Sequence, residues 1–490
     1  MMPTNTFEGF LDLAGVDKPS DEIMNTCVRC GLCLQSCPTY VQLEVEPSSP
    51  RGRIALIRGV AEGRLPVDAP GFLHQMNECL GCLACQAVCP SGVQYGHLLE
   101  AGRAQAAAVR EKSWLTKLIE IVVYQVLFMS PFLLRVFGRS MWLYQRTGVQ
   151  ALVRKSGILK LMGMEHSEKL LPKINDRFVY AQGQHFAPKL FTNGVSQAQP
   201  VLPKRVALLT GCAQSMAFAH VHEATIRTLR ANGCEVLLPE GQQCCGALHA
   251  HGGDFDRARE LARKNIDALE AVSPDIVVVN AAGCSHHLKE YAHLLHDDPV
   301  YGPKAEQFVA KSRDITELLA ELGPRPTQNP LTWHVTYQEP CHLAHGQKVT
   351  SEPRQVLNAV AGLKLTEMKD SAMCCGSAGT YNITQPEMAD KLLDKKLKNA
   401  MATGASIIAT ANTGCSIQLT AGLKDRQTPM PVMHIVEILD AGYRHDGLYA
   451  DGTFDIPAED DTQTKAIVAS VLVLTLVLIG WVLKSLWKRK

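Results

Sequence analysis

The chain has 490 residues, enough for about three domains, and its 49 Lys and Arg nearly balance its 48 Asp and Glu. A nucleic-acid-binding protein normally has a basic surplus, so this balance argues against that class. The chain has 17 cysteines, but disulfide scaffolds are typical of small secreted domains. Because the N-terminus lacks a charged stretch followed by an apolar run, we expect no signal peptide and reduced, metal-binding cysteines in the cytoplasm.

Two cysteine runs near the N-terminus share one spacing. They are Cys27-x-x-Cys30-x-x-Cys33-x-x-x-Cys37-Pro38 and Cys79-x-x-Cys82-x-x-Cys85-x-x-x-Cys89-Pro90. This is the bacterial ferredoxin pattern, in which the fourth cysteine of each run binds the other cluster. Zinc sites or disulfides are the alternatives, but zinc usually takes its ligands as two pairs.

The spacing therefore predicts two [4Fe–4S] clusters with crossed ligand sets. The ligands of the first cluster are Cys27, Cys30, Cys33 and Cys89, and those of the second are Cys79, Cys82, Cys85 and Cys37. The stretch between the runs is long and contains helical spacing after Ser49-Pro-Arg-Gly-Arg-Ile54. We therefore expect helices to join the two cysteine loops in a domain over 1–112.

Residues 113–145 are strongly apolar, but charged residues such as Lys117 and Arg135 interrupt them. No uninterrupted apolar run of about 18 residues is present there, so a membrane-spanning helix is not expected. The stretch is compatible with an interfacial helix, a partner-facing helix or a buried one. We treat 113–200 as this apolar helix followed by a polar linker.

From Val201 the chain alternates between apolar strand patterns and helical patterns. Strands are predicted over 205–210, 235–238 and 275–280, with helices between them. Such alternation is typical of a parallel sheet covered by helices. We assign this first α/β domain to 201–325.

The same order of elements recurs in a second α/β domain, over 326–450. Strands are predicted over 333–337, 363–368 and 405–410, and Thr384 with Glu387 predicts a capping box before a helix. Corresponding cysteines in the two domains are 129, 130 and 131 residues apart: Cys212 and Cys341, Cys244 and Cys374, Cys284 and Cys415. The two domains are therefore an internal duplication.

Four cysteines in each repeat follow the predicted strands. They are Cys212, Cys244, Cys245 and Cys284 in the first repeat, and Cys341, Cys374, Cys375 and Cys415 in the second. Loops at the carboxyl ends of parallel strands converge on one crevice, and converging thiolates need a cation. Iron–sulfur clusters or zinc are both possible there, with buried core cysteines as the simpler alternative. Cys234 has no counterpart and is interpreted as a core residue.

The paired Cys…Cys-Cys-Gly…Cys pattern resembles the cysteine-rich CCG domains of the heterodisulfide reductase family, which hold noncubane [4Fe–4S] clusters and sometimes zinc. The full family motif ends in Cys-x-x-Cys, whereas here the last positions are His287 and Gln418. Together with Ser49–Ile54 and the stretches 89–97, 340–347 and 374–382, the pattern resembles the iron–sulfur subunit of glycolate oxidase and its relatives that serve D-lactate and glycerol-3-phosphate dehydrogenases.

A C-terminal apolar run follows an acidic linker over 451–464. Ala466–Leu483 contains no charge, is bracketed by Lys465 and Lys484, and has Trp481 and Trp487 near one end. This pattern predicts a transmembrane or interfacial helix over 465–490. The basic tail after this run should stay cytoplasmic, and the iron–sulfur domains should be cytoplasmic as well. A single membrane span places the tail and the domains on opposite sides, so it does not satisfy both expectations.

These observations predict an α+β multidomain protein: a helical di-cluster ferredoxin domain, two duplicated α/β CCG domains and a C-terminal apolar helix. The resemblance implies an electron-transfer subunit that relays electrons from an FAD-containing subunit to quinone at the cytoplasmic face of the membrane. No Gly-x-Gly-x-x-Gly follows a predicted strand, so we expect no flavin on this chain. The alternatives are a heterodisulfide reductase-like enzyme that acts at the CCG sites and a zinc-stabilised scaffold.

Overall fold

The computed structural model describes residues 9–13, 16–161, 163–189, 204–456, 464–466 and 468. Most of the apolar helix predicted over 465–490 lies outside the described residues, so this helix stays a prediction. The same holds for most of the C-terminal half of the acidic linker before it. The rest of the architecture is the predicted mixture: a helical N-terminal part followed by two largely parallel sheets covered by helices.

Helices connect the two cysteine loops of the N-terminal domain, as predicted. The helices are α1 (Asp21–Asn25), α2 (Pro38–Leu43), a 3₁₀ turn (Glu46–Ser48), α3 (Pro50–Ala61), α4 (Pro70–Glu78), α5 (Ala84–Ala87) and α6 (Tyr95–Val109). Ser49 caps α3 by accepting a hydrogen bond from the Gly52 N–H at 2.9 Å. Helices α3, α4 and α6 contribute fully buried side chains such as Ile57, Phe72 and Leu98 to one core.

The apolar stretch after this domain forms a series of short helices. They are α7 (Trp114–Glu120), a π-helical segment (Ile121–Leu127), α8 (Pro131–Arg146), α9 (Val149–Lys155), α10 (Ile158–Leu161) and α11 (Glu165–Lys169). In the part of the chain that the structure describes, no single helix is long and apolar enough to cross a membrane. Thr116–Leu127 and Pro131–Arg146 would be long and apolar enough only as a pair, and they bend by 115° at their junction.

The first sheet has five strands in the order β1-β3-β2-β4-β5, of which only β1 is antiparallel to its neighbour. The strands are β1 (Gln184–Phe186), β2 (Arg205–Leu208), β3 (Glu235–Leu238), β4 (Ile276–Val279) and β5 (Ser312–Asp314). Its helices are α12 (Ala213–Ala217), α13 (Ala219–Ala231), α14 (Ala247–His251), α15 (Phe255–Glu270), α16 (Ala282–Lys289), α17 (Tyr291–Leu294), α18 (Tyr301–Lys311) and α19 (Ile315–Leu322). The three predicted strands are present, and β1 comes from the stretch that the sequence interpretation assigned to a linker.

The second sheet has four parallel strands in the order β7-β6-β8-β9. The strands are β6 (His334–Tyr337), β7 (Lys364–Leu365), β8 (Ile407–Thr410) and β9 (Val432–His434). The helical elements are a π-helical turn (His342–Gly346), α20 (Glu352–Asn358), α21 (Tyr381–Thr384), α22 (Pro386–Met401), α23 (Thr413–Asp425) and α24 (Ile435–His445). The predicted cap by Thr384 is wrong: Gln385 is the N-cap of α22, and its side chain makes no capping bond.

The order of strands confirms the duplication. In each sheet the first strand of the repeat pairs with the second on one side and the third on the other, and the fourth lies beyond the third. The two repeats also share one core, in which Val206 and Val278 of the first sheet and Val335 and Ala409 of the second belong to the same buried cluster. The repeats therefore pack as one body rather than as two separate modules.

An ion pair joins the two repeats through α13 and α24. Arg227 donates from Nε and Nη2 to the two carboxylate oxygens of Asp440, at 2.9 and 2.8 Å. Both side chains are largely buried, and a bidentate pair of this kind fixes the relative orientation of its two partners as well as attracting them. The cysteine-bearing ends of the two sheets are held in a fixed relation as a result.

Candidate metal centres

Four cysteines from both N-terminal runs line one small cavity. The cavity measures about 20 Å³, and Cys37, Cys79, Cys82 and Cys85 are among its lining residues. Cys37 belongs to the first run and the other three to the second, so the chain brings together the crossed set that the spacing predicts for the second cluster. The pKa values of Cys82 and Cys85 lie well above the ordinary value of a thiol. Burial is the first cause, and the charges of neighbouring thiols raise both pKa values further.

A buried arginine borders this cavity. Arg53 is completely buried and donates to Ser48 O at 2.8 Å, to Gln75 O at 3.0 Å and to the Glu78 carboxylate at 3.3 Å. Its Nη1 also lies 3.9 Å from the Cys37 Sγ. Burial opposes the charged form, yet Cys79, Tyr95, Cys37 and Glu78 together raise the pKa of Arg53. A fixed positive charge therefore lies beside the four thiols.

The thiols predicted for the first cluster lie nearer the surface. Cys30 is exposed, while Cys27, Cys33 and Cys89 are half-buried. Burial raises the pKa of Cys33, and the charges of Cys27 and Cys30 raise it further, so these three side chains are close enough to interact. Cys27 and Cys89 both pack against the core of the N-terminal domain.

The two cysteine loops adopt the same backbone conformation. Each loop has a residue with positive φ two positions after its first cysteine: Arg29 at 56° in the first loop and Gly81 at 65° in the second. Each has another one position after its second cysteine: Gly31 at 84° and Leu83 at 61°. Left-handed residues of this kind let successive N–H groups face one concavity, an arrangement found at many iron–sulfur sites. Each loop has one non-glycine residue in this region, Arg29 in the first and Leu83 in the second, so each loop carries backbone strain at one position.

In the first CCG domain the four predicted cysteines converge from three loops. Cys212 precedes α12, Cys244 and Cys245 precede α14, and Cys284 lies in the first turn of α16. The Sγ atoms of Cys244 and Cys212 are 3.6 Å apart. The hydrogen bond to Cys244, with burial, holds the pKa of Cys212 well above its ordinary value, and Cys245 interacts in turn with Cys244 and Cys284.

The second CCG domain repeats this arrangement with buried thiols. The Sγ atoms of Cys375 and Cys415 are 3.4 Å apart, and Cys341 and Cys374 also interact directly. His342 Nδ1 lies 3.5 Å from the Cys341 Sγ. All four cysteines are buried, so the protein encloses this site more completely than the one in the first repeat, where Cys212 and Cys284 are half-buried.

The glycine after each cysteine pair is required by its surroundings. Gly376 has a φ of 89°, and a Cβ there would lie 2.5 Å from Ala389 O on α22. We expect Gly376→Ala to lower stability by about 3 kcal/mol or more, because left-handed strain adds to a backbone clash. Gly404→Ala is the matched control, since Gly404 has a φ of 68° with nothing within 4 Å, and should cost about 1 kcal/mol. Equal thermal unfolding midpoints for the two variants would contradict the predicted clash.

The donor sets fit iron–sulfur clusters at the predicted positions. Fifteen of the sixteen predicted thiols lie in four groups, and Cys89 packs against the core of the N-terminal domain. None of the 17 cysteines, all of which are described, forms a disulfide. Burial and neighbouring thiols oppose ionisation of Cys82 and Cys85 unless a cation is bound. Within the described ranges, no three His, Cys, Asp or Glu side chains are arranged to hold a single metal ion. Cys234 lies apart in the hydrophobic core, as interpreted from the sequence.

The structure also shows a histidine-rich cavity that sequence reasoning missed. His97, His251, His286 and His342 line it, with two carboxylates beside them. His251 Nδ1 is 2.7 Å from Glu100 Oε1, and His97 Nε2 is 2.9 Å from Glu290 Oε2. These residues come from α6, α14, α16 and the turn after β6, so no local spacing joins them.

His287 stands in the last position of the first CCG motif. Its ring is buried, and Nε2 has no hydrogen-bond partner among the described residues. Burial lowers the pKa of His287 to about 4, so the ring is neutral near pH 7. A Cβ on Gly246 would lie 3.2 Å from this nitrogen. The corresponding residue of the second repeat, Gln418, has a partner: its Oε1 accepts a hydrogen bond from Asn382 Nδ2 at 2.8 Å.

Family models cover most of these elements. A "4Fe-4S dicluster domain" matches residues 23–93, a "Cysteine-rich domain" matches 206–289 and 335–420, and the "linker region" of the glycolate oxidase iron-sulfur subunit matches 115–171. A dicluster domain joined to two cysteine-rich domains defines an iron–sulfur protein of the electron-transfer class.

Two curated relatives match along nearly their whole length. The probable glycolate oxidase iron-sulfur subunit of Bacillus subtilis is 40% identical over 409 residues, which is 82% of this chain and 89% of that protein. The glycolate oxidase iron-sulfur subunit of Escherichia coli is 33% identical over 430 residues, 86% of this chain and 94% of that protein. The chain belongs to the glycolate oxidase iron–sulfur subunit family, which confirms the resemblance seen in its motifs.

A shorter relative matches about half of the chain. Lactate utilization protein A of Bacillus subtilis is 30% identical over 238 residues, which is 48% of this chain and 99% of that protein. Among solved structures, a hypothetical protein from Helicobacter pylori is 12% identical with a TM-score of 0.39, over 58% of this chain and 55% of that one. A similarity of that size carries no argument about fold.

Proposed function

We propose that the chain is the electron-transfer subunit of a membrane-associated flavoprotein dehydrogenase for a 2-hydroxy acid, glycolate or D-lactate. It would take electrons from an FAD-containing partner subunit and deliver them to the quinone pool. The names of its relatives support this reading, since they are iron–sulfur subunits of glycolate oxidase and proteins of lactate utilization. The substrate-oxidising site would then lie on the partner.

The observation that carries the proposal is the contact between the second ferredoxin loop and the second CCG site. Leu80, Cys82 and Ala84 belong to the same buried cluster as Cys341 and Cys374. The Cys341 charge is also among the causes that raise the pKa of Cys82. Clusters bound at these two thiol groups would lie side by side, as electron transfer between them requires.

The same packing connects the second CCG site to the first. The Gly283 N–H donates to Asn412 Oδ1 at 3.1 Å, and Asn412 Nδ2 donates to the Cys415 Sγ at 3.4 Å. Gly283 immediately precedes Cys284 of the first site. These contacts join three of the four thiol groups, the second ferredoxin group and the two CCG groups, and so support a relay between them.

Iron–sulfur clusters, when bound, supply one-electron redox chemistry at these positions. The chain's own residues set the surroundings. Arg53 places a positive charge beside Cys37, and Tyr95 Oη lies 3.6 Å from the Cys79 Sγ. Charges and hydrogen bonds near cluster sulfurs, together with burial, are the means by which a protein adjusts reduction potential.

A second candidate function has one structural observation in its favour. A cleft of about 360 Å³ lies between the N-terminal domain and the second CCG domain, and Cys37 and Cys374 are among its lining residues. A small disulfide substrate could reach the second CCG site through this cleft, as a heterodisulfide reductase-like activity would require. The absence of the final motif cysteines, replaced by His287 and Gln418, argues against that activity.

Rapid mixing tests the proposed relay. We expect glycolate or D-lactate to bleach the iron–sulfur absorbance of the full chain only when the flavoprotein partner is present, and a soluble quinone analogue to restore the absorbance. Bleaching by substrate without the partner would contradict a pure relay role. Reduction of a heterodisulfide by the chain alone with an artificial donor would favour the second candidate instead.

We also propose that the protein lies at the cytoplasmic face of the plasma membrane. The C-terminal run Ala466–Leu483 supports this location by its length and lack of charge. Protease digestion in sealed inverted vesicles tests the location: we expect the iron–sulfur domains to be cleaved there and to be protected in spheroplasts. Protection of these domains in the inverted vesicles would contradict it.

A further inference from the structure

An exposed apolar surface runs along the helices between the N-terminal and first CCG domains. We call residues 114–164 the linker surface. Its large apolar side chains with substantial exposure are Trp114, Leu118, Ile119, Ile121, Val122, Val126, Phe132, Phe137, Val149, Leu152, Ile158, Leu161 and Met164. Trp114, Leu152 and Leu161 are 76%, 69% and 89% exposed. Exposed apolar side chains in this number along one segment point to an interaction surface.

The opposite side of these helices is fixed to the rest of the protein. A Cβ on Gly138 of α8 would lie 2.9 Å from the Phe178 ring, which shows how closely the helix packs there. The π-helical segment is held by His249 Nε2, which is 2.8 Å from Tyr124 O. Farther along, His166 Nε2 is 2.9 Å from Asn382 O. The exposed side chains are therefore presented by an anchored scaffold and are not simply unpacked.

The helices of this surface are too short to cross a bilayer. The two longer arms, Thr116–Leu127 and Pro131–Arg146, bend by 115° at their junction. At 1.5 Å per residue each arm reaches roughly 18–24 Å, less than the hydrocarbon core of about 30 Å. Arms of this kind can instead lie in the plane of the interface, with their apolar sides in the acyl boundary.

The charge of the segment points to one kind of partner. Residues 113–172 contain eight Lys and Arg but three Asp and Glu, whereas the whole chain has 49 and 48. The basic residues with exposed side chains are Lys117, Arg146, Arg154, Lys155, Lys160 and Lys169. Exposed apolar residues interleaved with Lys and Arg are typical of helices that bind anionic lipid surfaces.

We propose that the linker surface binds the interface of an anionic bilayer, with its apolar side chains in the headgroup–acyl boundary and its lysines and arginines on lipid phosphates. This inference goes beyond the relay function and does not depend on it. It gives the protein a second membrane contact, separate from the predicted C-terminal helix and made by the domains that hold the thiol groups.

A photoactivatable lipid tests the proposal on the full chain. Because the C-terminal run could hold the chain on vesicles by itself, the deciding measurement is where the lipid attaches. In vesicles of phosphatidylcholine with phosphatidylglycerol, we expect attachment within 114–164. Leu152→Glu with Leu161→Glu should lower this attachment about tenfold or more, and Lys155→Gln with Lys160→Gln about thirtyfold at low salt.

The controls separate this surface from other apolar positions. Val300, 60% exposed on the first CCG domain, provides the matched control, and Val300→Glu should leave attachment unchanged. Reduction of the clusters by dithionite and electron transfer to a soluble dye should be unchanged in all variants. Attachment confined to 466–483 would overturn the proposal, as would equal labelling in pure phosphatidylcholine. Protection of 114–164 by the flavoprotein but not by vesicles would overturn it in favour of a protein partner.

Discussion

Cys33→Ser is expected to lower electron flow from a 2-hydroxy acid to quinone by more than about a hundredfold, while the flavoprotein partner keeps its dye-linked dehydrogenase activity. Cys33 is one of the four predicted ligands of the first cluster and interacts with Cys27 and Cys30. Loss of one thiolate removes or converts that cluster, and the relay is then broken at one step. Quinone-linked and dye-linked activities of the reconstituted complex are measured side by side, together with iron content.

Cys234→Ser is the matched control for this variant. Cys234 is 1% exposed in the shared core of the two repeats, and burial raises its pKa to about 11. The serine hydroxyl should cost about 1–2 kcal/mol of stability by its burial, with iron content and both activities retained. Loss of both activities in Cys33→Ser would contradict a pure relay role, and loss of iron in Cys234→Ser would contradict the assignment of Cys234 to the core.

Arg53→Met is expected to destabilise the N-terminal domain by about 3–5 kcal/mol, because it leaves the Glu78 carboxylate buried without its charged partner. The variant also loses donors to Ser48 O and Gln75 O. The positive charge beside Cys37 favours the reduced, more negative cluster, so its loss should lower the potential of the second cluster by on the order of tens of millivolts. Thermal unfolding and a redox titration followed by EPR measure the two effects.

Arg51→Met is the matched control, which tests whether the effects of Arg53→Met are specific to that position or follow from losing an arginine in general. Arg51 lies two residues away and pairs with Glu46 at 2.6 Å, but both side chains are partly exposed, 31% and 49%. Exposed ion pairs contribute little to stability, so the variant should unfold near the wild-type temperature. A potential of the second cluster unchanged in Arg53→Met would show that the guanidinium does not act on the cluster.

The parts of the fold that sequence predicted are those with local signals. A cluster fixes the spacing of three ligands within one loop, and a buried parallel strand requires a short apolar run such as Ile276–Val279. The offset between repeats then identified the duplication without any long-range information. The crossed placement of Cys37 with Cys79, Cys82 and Cys85 was also predicted, since the pattern itself specifies it.

The parts that sequence did not predict depend on contacts between distant residues. β1 (Gln184–Phe186) has no apolar run and is a strand because it pairs with β3. Arg53 belongs to a sequence motif noted above, but its role depends on Gln75 O and the Glu78 carboxylate, which are 22 and 25 positions away. The histidine cavity brings His97 next to Glu290, 193 residues apart, and no periodicity encodes such a pair.

The enclosure of the second ferredoxin loop has a consequence for how the protein matures. Cys79 and Cys82 are 7% and 8% exposed, and Cys374 and Cys375 are each 2% exposed, behind the contact between the N-terminal and second CCG domains. Because these thiols are almost inaccessible once the domains have packed, we expect metal to be delivered to them before the domains close. Cofactor assembly would then precede the packing of these two domains, whereas the exposed loop around Cys30 would stay open to later repair.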